Sequence, residues 1–382
     1  MAKILVLGAG MVGSAMAIDL AQQHQVTLAD LNSSILTAVQ KKCSALRLTT
    51  LDVTNQRDLA VAVEGFDLVV CAVPGFLGFE TLRQLILNKK NVVDISFFAE
   101  NALELDELAK EQGVTAVVDC GVAPGMGNIL LGHHNEWMTI ESFECFVGGL
   151  PLVKQWPFQY KAPFSPIDVI EEYTRPARYV EHGHIITRPA LSDCEYLDFE
   201  GVGTLEAFNT DGLRSLLYTM SHIPNLKEKT LRYPNHVEYI KVLKASGFFG
   251  EEAITVKGQS IRPIDFTAGI LFDNWKLYPE EEELTVMRVQ IKGKNAQGEP
   301  EEITYNLLDY YSKTTQTSSM ARTTGYTATA AVNAFLEGLI PDQGVLPPEL
   351  IGRHQACFDF ILNYLEARNI YYKKKVKTGD KL

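Results

Sequence analysis

The sequence predicts an α/β protein: a Rossmann-type doubly wound parallel sheet, joined to a central α+β domain with a largely antiparallel sheet. Three observations predict it. Short, continuously apolar runs alternate with helical segments over the first 120 residues, as strands buried on both faces require. A Gly-x-Gly-x-x-Gly turn directly follows the first of those runs. Beyond "DCGVAPGMGN" the hydrophobic alternation changes to period two.

In the first stretch, residues 3–7, 26–29, 46–49, 67–73, 91–96 and 115–120 read as strands rich in Val, Ile or Leu. Helices are expected over residues 11–23, 76–88 and 102–112. Gly121, Pro124, Gly125 and Gly127 then mark a loop at the carboxyl end of the sixth strand. "SFECFVGGL" and "CEYLDFEG" read as strands of the second sheet. Met287, Val289 and Ile291 alternate with Arg288, Gln290 and Lys292; residues 295–298 turn the chain and 302–311 return it, a hairpin. From Ser318, "SSMARTTGYTATAAVNAFLEGLI" predicts a helix whose small residues suit close packing. "LPPELIGRHQACFDFILNYLEARNI" predicts another, with Pro347 and Pro348 at its start. These helices are expected to fold back onto the first domain. Residues 1–122 and 318–382 would then form the dinucleotide-binding unit, and 123–317 the central substrate domain. "YYKKKVKTGDK" reads as a solvated basic tail.

A chain of 382 residues has room for two domains and a large core. Its 46% apolar and 21% charged residues are ordinary for a globular protein. The formal charge of −12 argues against nucleic acid and against an anionic membrane surface, both of which need a basic face. No run approaches the roughly 20 apolar residues of a spanning helix. The first apolar run breaks at glycines and so does not read as a signal peptide. Six cysteines, at positions 43, 71, 120, 145, 194 and 357, form no Cys-x-x-Cys pair, the usage of a reducing cytoplasm. His133–His134 and His182-Gly-His184 lack the Cys or Glu spacing of a zinc site, so no metal is expected.

The glycine turn carries the first functional expectation. Gly8 permits the turn, Gly10 lets the backbone approach a pyrophosphate, and Gly13 lets helix and strand pack closely. Met11 and Val12 open the helix, whose free N–H groups face the phosphates. Asp30 ends the second strand 20 residues after Gly10, where a carboxylate accepts from the ribose hydroxyls and repels a 2′-phosphate. Residues 31–34 include no Arg, so NAD is expected as cofactor ahead of NADP. Asp52 and Val53, ending the third strand, are placed to border the adenine or to make a turn. Ala72, Val73 and Pro74 end the fourth strand at the switch point of the sheet, where cofactor and substrate meet.

In its motifs the chain resembles the saccharopine dehydrogenase family, and within it the lysine 6-dehydrogenases, over nearly its whole length. The resemblance rests on "GAGMVG", "LDVTN", "CAVPG", "DCGVAPGMGNI", "GGLP", "EYTRPARYV", "LEAFNTDGLRSLL", "KTLRYPNH" and "SMARTTGY". The first three are general to dinucleotide enzymes; the later ones are more specific. The family often has Gly where this chain has Asn235. The resemblance implies a nicotinamide-binding domain completed by the C-terminal helices, a central domain with the substrate site and a homodimer contact, and hydride exchange at a carbon bearing nitrogen.

For lysine oxidised at its ε-carbon, the ammonium must first lose a proton, which calls for desolvation or a base. The α-carboxylate calls for a guanidinium fork. Arg232 is the first choice, with Arg214 and Arg175 behind it, and Tyr233 as a hydrogen-bond donor. Asp211 in "NTDG" is the choice for the α-ammonium, with a helix N-cap as its bland alternative. Asp94 and Asp119, at or near the ends of the fifth and sixth strands, are candidate bases, as is His236; each carboxyl could equally serve a strand-end turn. Two other functions compete with lysine oxidation. One is saccharopine- or carboxyspermidine-type reductive condensation, which needs more than one converging Arg. The other is a non-catalytic dinucleotide-binding regulator.

Overall fold

The structure, a computed structural model, describes residues 1–163, 166–278 and 280–379. Six strands come first along the chain: β1 (Lys3–Leu7), β2 (Gln25–Asp30), β3 (Arg47–Thr50), β4 (Leu68–Cys71), β5 (Asn91–Asp94) and β6 (Thr115–Val117). β7 (Thr139–Pro151), β8 (Ala177–Glu181), β9 (His184–Arg188), β10 (Glu195–Phe199), β11 (Gly203–Asn209) and β12 (Leu226–Arg232) follow. A small hairpin, β13 (Ile254–Val256) with β14 (Gln259–Ile261), precedes the long hairpin of β15 (Glu283–Lys294) and β16 (Pro300–Tyr310). β17 (Gly344–Leu346) and β18 (Lys373–Thr378) close the described chain.

The first sheet has the order β17-β6-β5-β4-β1-β2-β3 and is parallel throughout. Its central strands are continuously apolar because helices cover both faces: Ile4, Leu5, Val6 and Leu7 are all fully buried. The connection reverses direction between β1 and β4, so the crevice at their carboxyl ends is the ligand position of such a sheet. The second sheet runs β10-β11-β12-β7-β15-β16-β18, with β8 joined to β12 and β9 to β8. Its pairings are antiparallel except β12 with β7. The fold class is thus the one the sequence predicts.

Several details differ. A buried helix, Met126–Asn135, follows the glycine-rich loop, which the sequence reading passed over. The expected second C-terminal helix is two, Pro348–Gly352 and Gln355–Glu366. His354 takes extended backbone between them, and Asp342 holds that corner by accepting from Arg353 at 2.9 Å and from His354 at 2.7 Å. The basic tail is exposed, as expected, but residues 373–378 form β18 on the free edge of β16. Such a lysine-rich edge strand discourages further pairing. Residues 380–382 lie outside the described residues. We propose the division into 1–122 with 318–382 and 123–317. In its support, the helix Ser319–Leu336 packs on the helix Met11–Leu20, and β17 extends the first sheet; β18, however, belongs to the second.

Asn235 stands in the left-handed region, with φ 79, at the entrance to the helix His236–Ala245. Asn tolerates that conformation better than other non-Gly residues, so the turn survives without glycine. Asn235→Gly is expected to change stability by less than about 0.5 kcal/mol, and Asn235→Val to cost about 1–2 kcal/mol, in urea denaturation. Equal behaviour of the two variants would contradict a conformational demand at this position.

Among the described residues no helix is long and apolar enough to cross a membrane, and no group of three His, Cys, Asp or Glu is placed to hold a metal ion.

Candidate active site

A cavity of about 530 Å³ lies between the carboxyl ends of the first sheet and one face of the second. Its dinucleotide end is lined by Gly8, Gly10, Met11, Val12, Gly13, Asp30, Ala72, Val73 and Pro74. A Cβ on Gly13 would lie 2.0 Å from the Gly8 carbonyl oxygen, so this turn closes only with glycine there. At Gly10 a Cβ would meet no protein atom within 4 Å; the room left there faces the cavity, as a phosphate cradle requires. The first intrahelical bond is Ser14 N–H to Gly10 O, which leaves the preceding amides of the helix free of an intrahelical acceptor. Asp30 accepts from Ala9 N–H at 2.7 Å and Asn32 N–H at 2.8 Å, which fixes its carboxylate at the cavity edge. These features fit a pyridine dinucleotide. Asp52 and Val53 do not line the cavity. Asp52 instead accepts from the amide and hydroxyl of Thr54, at 2.9 and 2.7 Å, and makes the turn; these bonds hold its pKa below the ordinary value.

The other end is built from both domains. Glu171 and Glu172 come from the helix Pro166–Thr174, Arg175 from the residue just after it, Asp211 from the loop after β11, and Asp119 from the loop after β6. Glu228, Thr230 and Arg232 alternate along β12, so their side chains share the face toward the cavity. Four carboxylates here are each paired with a guanidinium. Arg232 donates to Glu172 at 2.7 Å, and Arg214 Nε donates to both oxygens of Asp119 at 2.7 and 2.8 Å. Arg178 grips Asp211 with two bonds of 2.9 Å, and Arg175 pairs with Glu171. Arg232 also donates to the Tyr173 hydroxyl at 3.1 Å and lies over the Tyr160 ring at 4.4 Å.

The expected site residues are therefore brought together only in part. Arg232, Arg175, Asp211 and Asp119 line the cavity. Asp211 caps no helix; its partner is Arg178. Arg214 lies behind Asp119, with Nη1 donating to Phe98 O, and does not reach the cavity. Tyr233 follows Arg232 and so turns to the opposite side, where its hydroxyl donates to Pro151 O at 3.0 Å. His236 is fully buried behind Tyr173, its Nδ1 at 2.8 Å from Phe158 O and its Nε2 at 2.9 Å from the Tyr173 hydroxyl. Burial, with the Arg232 charge second, pushes its pKa down to about 3, so it is a neutral structural imidazole. Asp94 is fully buried outside the lining, with Oδ1 lacking a hydrogen-bond partner among the described residues. Burial above all, opposed by the hydrogen bonds of Cys71 and Ser96, pushes its carboxyl up to about 7.

Glu228 is the residue the sequence reading missed. Burial first, then the charges of Glu172 and Asp211, raise its carboxyl to about 8. The signal was available: with Arg232 placed on a strand, Glu228 is four residues upstream on the same face.

Residues 4–117 match the family model described as the saccharopine dehydrogenase NADP binding domain, and residues 121–370 that of the saccharopine dehydrogenase C-terminal domain. The mitochondrial alpha-aminoadipic semialdehyde synthase of Rattus norvegicus is 26% identical over 278 residues, covering 69% of this chain and 30% of that protein. The chain thus spans less than a third of that relative's length. The NADP(+), L-glutamate-forming saccharopine dehydrogenase of Saccharomyces cerevisiae is 24% identical over 91% of this chain and 93% of its own. The solved structure of the apo, histidine-tagged saccharopine dehydrogenase (L-Glu forming) from Saccharomyces cerevisiae superposes with a TM-score of 0.78 at 22% identity, covering 99% of this chain and all of that one.

Proposed function

We propose, from the premise that this chain belongs to the saccharopine dehydrogenase family, that it is an NAD-dependent oxidoreductase of the side-chain amine of a lysine-like amino acid. The product is the semialdehyde, with release of ammonia. One observation carries the choice of substrate: each guanidinium around the substrate end is paired with a carboxylate, and Glu228 is left unpaired among the described residues. A cation bound beside Glu228 favours its ionised form, and that end then carries a surplus of negative charge that offsets the ligand's. Lysine is a net cation near neutral pH and saccharopine a net anion, so the balance favours lysine. Arg232 shares its fork between Glu172 and the substrate carboxylate, and Asp211 faces the α-ammonium. When bound, the nicotinamide supplies the hydride acceptor.

The test is reduction of NAD by lysine, ornithine, cadaverine, saccharopine and glutamate at pH 9. Lysine turnover with saccharopine inert is the expected result; saccharopine turnover with lysine inert would overturn the substrate choice. Turnover of no amine would favour the non-catalytic regulator. The condensation reading has one observation in its favour: two guanidiniums, Arg175 and Arg232, line the same cavity.

The cofactor choice rests on the second strand. A 2′-phosphate beside Asp30 meets a carboxylate, and the amides of Ser34 and Ile35, which could otherwise receive it, are capped by Asn32 Oδ1 at 3.0 and 3.3 Å. Asp30→Ala is expected to narrow the preference for NAD over NADP in fluorescence titration. A wild-type protein binding NADP ten times more tightly than NAD would contradict the choice.

A further inference from the structure

We propose that Glu228 is the catalytic residue that takes the proton of the substrate ammonium, an assignment that rests on the amine-oxidation reading above. Three alternatives named from the sequence are already engaged or out of reach. Asp119 has both oxygens against Arg214 Nε. Asp94 does not line the cavity, and His236 is sealed behind Tyr173. Glu171, Glu172 and Asp211 each hold a guanidinium. Glu228 lines the cavity and has no hydrogen-bond or ion-pair partner among the described residues.

Its placement is specific. A Cβ on Gly212 would sit 2.0 Å from Glu228 Oε2, so the carboxyl packs directly on the Gly212 backbone, beside Asp211 and below Thr230 on the same strand face. The groups facing it are Glu172 from the helix Pro166–Thr174, Asp211 and Arg214 from the loop after β11, Asp119 from the loop after β6, and Cys145 from β7. Three of these are carboxylates, and among the facing groups only Arg214 is a cation. This environment disfavours an ionised Glu228 in the free protein and welcomes a cation next to it. An ammonium entering the site therefore meets an acceptor whose affinity for protons is close to neutrality. In the step itself one N–H bond breaks, its electron pair stays on nitrogen, and an O–H bond forms on Glu228. The neutral amine is then the species able to give up hydride.

Glu228→Gln preserves shape and removes the acceptor; Glu228→Asp shortens it. For the wild type, kcat/KM for lysine is expected to rise with pH through an inflection near 8, beneath any rise from the substrate amine itself. Glu228→Gln is expected to lose roughly 10²- to 10⁴-fold and to lose that inflection, with Glu228→Asp recovering part of both. The apo protein gives a second readout. A carboxyl whose folded pKa is raised makes the wild type lose stability as pH climbs from about 4.3 to about 8. The melting temperature of Glu228→Gln relative to wild type is therefore expected to be higher at pH 9 than at pH 5. Turnover of no amine by the wild type would overturn the parent reading. Wild-type turnover whose inflection persists in Glu228→Gln, or a melting difference indifferent to pH, would overturn the assignment to Glu228 alone.

Discussion

Arg214→Ala is expected to remove about 3–5 kcal/mol of folding stability, because it strands a buried carboxylate. The side chains of Arg214 and Asp119 are 6% and 4% exposed. One guanidinium satisfies both Asp119 oxygens and, at 2.5 Å, the carbonyl of Phe98. It also lies over the rings of Phe97 and Phe98, 4.9 and 5.3 Å from their centroids. Both residues of the pair stand at positive φ, 48 for Arg214 and 52 for Asp119, a conformation that persists only where the surroundings hold it. Alanine removes all of these contacts together. Lys is expected to recover little, since it offers a point charge without the planar fork or the stacking face. Arg214→Met combined with Asp119→Asn is expected to recover most of the loss, because a buried pair replaced as a pair leaves no charge unpaired. Urea denaturation at pH 7 separates these cases. A loss below about 1 kcal/mol for Arg214→Ala would put the pair in the class of exposed ion pairs and sink the argument.

The pair also shows where reading the sequence stops. The glycine turn and Asp30 form one local βαβ unit, and local spacing dictates their positions. Asp119 and Arg214 are 95 residues apart, Arg232 and Glu172 60, and Arg178 and Asp211 33. Such partnerships depend on how two sheets meet, which no local period encodes. Candidate residues could be named, but not which were already engaged. Tyr233 and Glu228 are different cases. Period two along β12 places Arg232 and Tyr233 on opposite sides and Glu228 with Arg232. That rule lay within reach once the segment was taken as a strand. The break at His354 was not within reach of a helical period, because the bonds that hold that corner come from Asp342, 12 residues upstream of His354.

Arg232→Ala is expected to lower kcat/KM for lysine by roughly 30- to several-thousand-fold, the range for losing a charged hydrogen bond at a desolvated site. Only 2% exposed, Arg232 holds Glu172 as well as facing the cavity, so this variant also releases a carboxylate whose pKa burial already raises. A loss of activity alone would then be ambiguous. Cadaverine resolves it, because it is lysine without the carboxylate: a substrate-binding role predicts a much smaller loss on cadaverine, while a structural role predicts equal losses. Arg232→Met with Glu172→Gln removes the unpaired charge and is expected to keep the discrimination against lysine while regaining stability. Arg232→Lys is expected to recover part of the lysine activity, having charge but no fork. Dinucleotide affinity is expected to stay near the wild-type value in all of these variants, since Arg232 lies at the opposite end of the cavity from the glycine turn. Equal losses on lysine and cadaverine across the series would make Arg232 structural. The substrate carboxylate would then fall to Arg175, the other guanidinium that lines the cavity.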